Sequence, residues 1–167
     1  MEKATTILSY EHQNILTVLS TLEEECFKME LIDKSFFIKV ISFIRNYSDK
    51  FHHAKEEDLL FKELGKVEMH CDPTKQMLYE HDIGRNLVKE LEISLNNNNV
   101  AKIKLHSNEF IQLLREHIHK EDNILYPMVD EALSSSQQIL LLEQFKQLNT
   151  QDINLHLDFV EECKQRN

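Results

Sequence analysis

The chain carries one pattern twice. Tyr10-Glu11-His12 recurs as Tyr79-Glu80-His81, and the stretch from His52 to Phe61 aligns without gaps on His117 to Tyr126. Eight of the ten pairs in that longer stretch are identical or chemically similar, so the polar residues in it are placed, not accidental. In each copy one histidine is followed by a His-x-x-x-Glu pair, 40 residues later in the first and 36 in the second. Two equivalent halves are therefore expected, each a helical hairpin.

The hydrophobic spacing supports helices throughout. Leu8, His12, Ile15, Leu19, Leu22 and Cys26 recur at three- and four-residue steps and predict a first helix over about residues 3–30. Phe37, Ile41, Ile44, Ser48, His52, Glu56 and Leu59 predict a second, ending near Gly65. Asp72-Pro73 marks a third helix start, an N-cap carboxylate with proline at the first helical position, and the stripe runs on through Leu78, His81, Val88, Leu91 and Leu95. After the polar loop Asn96 to Asn99, a fourth stripe reads Ile103, Phe110, Leu114, His117, Glu121, Ile124 and Met128, with Pro127 ending or kinking it. Ser134 and Gln137 form a capping-box pattern ahead of one or two further helices. The expected fold is all-α: an antiparallel up-down four-helix bundle over residues 1–132, with a C-terminal helical extension over 133–167 packed on it.

Composition narrows the function. Two glycines and two prolines in 167 residues leave few tight turns for a sheet fold. A formal net charge of -10 and the absence of a Lys/Arg stripe speak against nucleic acid. No apolar run of about 18 residues and no apolar signal core is present, so neither a membrane nor export is expected. Cys26, Cys71 and Cys163 are odd in number and in no CxxC pairing, which fits a reducing cytoplasm better than disulfides or a thiolate zinc site. Nine histidines are the compositional excess, and they direct attention to metal.

Residues four apart share a helix face at about 6 Å between Cβ atoms, so His52 with Glu56, and His117 with Glu121, can serve one site, with His12 and His81 projecting from the other two helices. Burying these six groups bare costs several kcal/mol each, and metal coordination satisfies them together. Four imidazoles and two carboxylates suit iron, manganese or zinc, and two ions bridged by both glutamates use the set most naturally. Glu57 and Asp122, one residue on, should turn about 100° off the metal face and pair with neighbours. His53 and His119 fall off the stripe and are expected to face solvent or to support a ligand. His70, His106 and His156 are read as surface or packing residues. Tyr10 and Tyr79 fit either a hydrogen bond to a ligand or packing at the bundle end. Gly84 fits close helix approach or ligand access, and Cys26 a small core residue.

Over about residues 5–130 the chain resembles the hemerythrin-like, or HHE cation-binding, domain family. The resemblance is carried by Glu11-His12, His52-x-x-x-Glu56 with Leu60-Phe61, Glu80-His81 with Gly84-Arg85, and His117-x-x-x-Glu121 with Leu125-Tyr126-Pro127. It implies a four-helix bundle around two non-haem iron ions held by His12, His52, Glu56, His81, His117 and Glu121. Oxygen-carrying hemerythrins add a fifth histidine on the third helix, where this sequence has Met77 and Arg85. That departure speaks against simple oxygen carriage and makes the set more like di-iron proteins that repair iron-sulfur clusters. Arg85 could turn inward toward a bound anion or remain at the surface. The resulting expectation is a cytoplasmic di-iron protein, monomer or homodimer, that binds or reacts with oxygen, nitric oxide or peroxide in sensing, detoxification or repair. The alternatives are an iron-storing or iron-sensing module without chemistry, and an interaction domain stapled by its metal.

Overall fold

In the computed structural model, which describes residues 2–28, 30–68, 71–148 and 152–166, six helices and no strand are found among the described residues. Helix α1 is Ala4–Lys28, α2 spans 34–64, α3 is Thr74–Asn96 and α4 spans 100–132. Two further helices follow, α5 at Ser135–Gln147 and α6 at Ile153–Arg166.

Local chemistry sets the ends. Asp33 caps α2 by accepting from Phe36 N at 3.2 Å, and Asn99 caps α4 from Lys102 N at 3.1 Å. Asn98 takes φ 52°, a left-handed turn that asparagine tolerates, so the α3–α4 link is short. Ser134 and Gln137 make the full capping box. At α3 the helix starts one residue later than expected: Pro73 is the cap position, and Asp72 accepts from Thr74 N at 3.1 Å.

The four long helices share two apolar layers. Ile15, Leu19, Phe43, Tyr47, Val88, Leu91, Phe110 and Leu114 belong to one. Leu8, Leu60, Phe61, Met77, Leu125 and Val129 belong to the other. Passing from the second layer to the first takes α1 from Leu8 through His12 to Ile15, and α3 from Met77 through His81 to Val88; α2 and α4 run the opposite way. That is the antiparallel up-down bundle, with a belt of histidines and glutamates between the layers. Helix α6 adds Phe159, Val160 and Cys163 to the first layer, and α5 adds Leu141 and Phe145 to the second.

Three stretches wind as π-helix, Ile44–His53 and Glu56–Leu60 in α2 and Glu121–Leu125 in α4. Each wide turn advances fewer degrees per residue than α-helix, so the inward face moves along the sequence. The expected stripes slip by one position after each glutamate: Leu60 is buried where Leu59 was expected, and Leu125 and Val129 replace Ile124 and Met128. Ile124 stands exposed. Pro127 follows the π-turn in α4, and the helix continues to Ala132. In α3 Met77, not Leu78, turns inward.

Candidate metal centre

His12, His52, Glu56, His81, His117 and Glu121 are each at most 2% exposed, and their ring nitrogens and carboxylate oxygens converge. Glu121 lies between two imidazoles, Oε2 3.2 Å from His12 Nε2 and Oε1 3.1 Å from His117 Nε2. Glu56 Oε2 lies 3.5 Å from His81 Nε2 and 3.8 Å from His52 Nε2. His81 and His117 bring their Nε2 atoms to 3.0 Å. His52 Nε2, Glu56 Oε2 and both Glu121 oxygens are buried with no aligned hydrogen bond among the described residues. Such groups cost free energy unless something satisfies them. The donors fall into two groups, each within 4.8 Å internally: His12, His52, Glu56 and Glu121, and His53, Glu56, His81 and His117. Buried imidazole and carboxylate donors with unmet lone pairs fit metal binding, and Glu56 belongs to both groups.

His53 was missed by helical spacing. It is 7% exposed, stacked on His81 at 3.8 Å between ring centroids, and belongs to the second group. His52 and His53, at the end of the π-helical stretch, are both buried, and a stripe read at three- and four-residue steps names only one of two such consecutive inward positions. The corresponding position in the other copy, Ile118, is also buried. The four histidines expected from the sequence are thus joined by a fifth imidazole, from the second helix, in the two donor groups.

Behind each imidazole stands a carboxylate at Nδ1. Glu11 serves His52 at 3.0 Å, Asp122 serves His12 at 3.0 Å, Glu57 serves His81 at 2.7 Å and Glu80 serves His117 at 2.8 Å. Asp49 lies 3.4 Å from His53 Nδ1. An acceptor at Nδ1 puts the ring proton there and leaves Nε2 free to bind metal. Glu57 and Asp122 are off the metal face as helix rotation requires, yet they orient ligand rings across the two halves and do more than pair at the surface. Lys55 and Lys120, another repeated pair, hold Glu11 and Glu80.

Arg85 does not turn into the site. Its guanidinium spans Asp49 and Glu57, the carboxylates behind His53 and His81, and also binds Asp82. Tyr10 and Tyr79 are 70% and 62% exposed. The tyrosine of the site is Tyr126, whose Oη donates to Glu56 Oε1 at 2.6 Å. His119 is exposed, beside Asn123. His156 is buried against Phe43, His106 pairs with Glu109, and His70 lies outside the described residues.

The protonation pattern shows what charge the site is built to hold. Burial alone would lower the His12 imidazole, but Asp122 and Glu121 outweigh it and raise it to about 9. His117 is raised to about 10, again against burial, by Glu121 and Glu80. Burial and the neighbouring Glu121 push Glu56 well up, whereas Glu121, despite burial, is held well below the usual range by His117 and His12. Burial drives His52 and His53 well down toward neutral imidazole. Without a cation the carboxylates recruit protons onto imidazoles.

A helical bundle with buried histidine and glutamate donors at its centre defines a histidine–carboxylate metal-binding fold. The family model for the hemerythrin HHE cation-binding domain matches residues 3–129, and the chain belongs to that family. No curated protein and no solved structure matches it. No helix among the described residues is long and apolar enough to cross a membrane.

Proposed function

We propose that the chain is a non-haem di-iron protein that binds or reacts with a small ligand, oxygen, nitric oxide or peroxide, in sensing, detoxification or iron-sulfur repair. The observation that carries this reading is the pair of buried donor groups sharing Glu56, with imidazole nitrogens and carboxylate oxygens left unsatisfied at their common centre. His12, His52 and Glu121 would hold one ion and His53, His81 and His117 the other, with Glu56 common to both. Bound there, iron supplies electrons and Lewis acidity to a small ligand.

The chain's own residues set the conditions. Nδ1 carboxylates fix the tautomers of His12, His52, His81 and His117, Tyr126 holds Glu56 by one oxygen, and apolar layers pack on both sides. Because Ile118 stands where the other half has His53, the two ions would have unlike donors, two imidazoles and two carboxylates at one and three imidazoles and one carboxylate at the other. The expected exclusion of oxygen carriage rested on a missing fifth histidine, and His53 removes that ground. Three free cysteines, two of them buried, support a reducing cytoplasm.

Elemental analysis of anaerobically purified protein should give about two iron ions per chain, and the reduced protein should change its optical spectrum on adding oxygen or nitric oxide. Fewer than one ion per chain after iron loading, or a loaded protein inert to both gases, overturns the proposal.

A further inference from the structure

Beside the three-histidine group lies a cavity of about 320 Å³ between α2, α3 and α4. That is on the order of ten water volumes and reaches the lower range of small-molecule pockets, about 300 Å³. A diatomic molecule fills a small fraction of it. Ile44, Val88, Phe110, Leu113 and Leu114 make apolar walls, and Gly84 leaves the bore open. A Cβ at Gly84 would meet Phe110 at 3.7 Å and Leu113 at 3.9 Å, ordinary contact distances, so backbone packing does not require glycine there. Its lack of a side chain keeps space beside His81.

Two polar atoms of the lining residues make no hydrogen bond among the described residues, His53 Nδ1, which faces Asp49 at 3.4 Å, and Ser48 Oγ. Ser48 is 1% exposed, lines the cavity, and its Oγ makes no hydrogen bond. A helical serine ordinarily returns its hydroxyl to the carbonyl four residues back, but Ser48 lies in the π-helical stretch Ile44–His53 and makes no such bond. The charged lining residues are already engaged: Arg45 by Glu92, Arg85 by Asp49, Asp82 and Glu57, and Glu80 by His117 and Lys120. Lys50 stands at the exposed rim.

We propose that this cavity is a binding site for a small neutral organic molecule with an apolar body of about ten non-hydrogen atoms and one hydrogen-bond-accepting head, which takes the Ser48 hydroxyl. The head then lies beside His53, so occupancy of the cavity reports directly to the metal centre without requiring a bond to either ion. The apolar walls select the body, and the buried unpaired donor selects against a molecule lacking an acceptor.

The probes are acetophenone, ethylbenzene and benzoate, titrated into zinc-loaded protein with methyl NMR of Ile44, Val88, Leu113 and Leu114 as readout. Acetophenone should shift these methyls saturably with a Kd of about 1 mM or below. Ser48→Ala should weaken acetophenone about five-fold and leave ethylbenzene unchanged. Gly84→Leu, or Val88→Phe from the same wall, should remove both while far-UV helicity stays native. Absence of saturable shifts, equal effects of Ser48→Ala on both probes, or tighter binding of benzoate than acetophenone overturns the proposal. Zinc content measured on the same samples tests the metal centre separately, since the cavity needs no ion.

Discussion

Replacing Glu57 separates two views of the residues next to Glu56 and Glu121. Helix rotation alone makes Glu57→Gln and Asp122→Asn close to neutral. The geometry says otherwise, because Glu57 Oε1 accepts from His81 Nδ1 at 2.7 Å and Asp122 Oδ1 from His12 Nδ1 at 3.0 Å. A glutamine at 57 keeps a carbonyl acceptor and loses only the charge. The difference between a charged and a neutral hydrogen bond, about 1 kcal/mol, corresponds to about five-fold weaker metal binding. An alanine removes the acceptor, frees the His81 ring to rotate, and should cost about 10- to 100-fold. Asp122→Ala should do the same to the ion held by His12. The assay is competition for zinc or ferrous iron against a chromophoric chelator, with both sites resolved. A double variant, Glu57→Ala with His81→Ala, should bind no more weakly than His81→Ala alone, because the carboxylate acts through the ring. Binding within two-fold of wild type in both alanine variants refutes the assignment.

Glu56→Ala should abolish both ions, since Glu56 belongs to both donor groups, whereas His53→Ile, which makes that position match Ile118, should weaken only the ion at His81 and His117, by about 100-fold or more; metal stoichiometry under chelator challenge distinguishes them. Tyr126→Phe strands Glu56 Oε1 and should destabilise the metal-free protein by about 1–3 kcal/mol, read as a lowered urea midpoint. The metal-free protein should also lose stability in alkali. His12 and His117 have native values of about 9 and about 10, above the ordinary 6.5, so their contribution is complete below about pH 6.5 and is lost as pH rises through 9 to 10. Thermal melts of chelator-treated protein should fall across that window, and constant melting temperature would sink the charge assignment.

The bundle and six of the donors were legible because their signals are periodic. A 3.6-residue stripe with a polar intrusion at the same place in two copies identifies a helix, a face and a site at once. His53 was not legible, because a stripe read at three- and four-residue steps admits one residue of a neighbouring pair, whereas His52 and His53 both face inward, as His117 and Ile118 do in the α-helical copy. Leu59, Ile124 and Met128 failed because the π-helical turns after Glu56 and Glu121 shift the inward face by one position and have no residue signature. The supporting carboxylates were visible in retrospect: Glu11, Glu57, Lys55 and their copies Glu80, Asp122 and Lys120 repeat as faithfully as the ligands. Which ring each serves depends on contacts across helices, and no spacing within one helix contains that. Tyr126 was hidden by its alignment with Phe61, a pair that looks like a conservative packing exchange and differs by the one hydroxyl that reaches Glu56.

The pairing of His53 with Ile118 bears on why the two hairpins occupy one chain. Two identical hairpins assembled as a homodimer are related by a two-fold axis, and every residue at one ion must recur at the other. Such a dimer can change its donor set only at both ions together. A fused duplicate escapes that constraint, because a substitution in one copy is felt at one ion. Here a histidine in the first copy opposite an isoleucine in the second gives the two donor groups unlike composition while their carboxylate and lysine supports stay matched. Covalent linkage of the halves is therefore the condition under which two neighbouring donor groups can come to differ in their ligand chemistry.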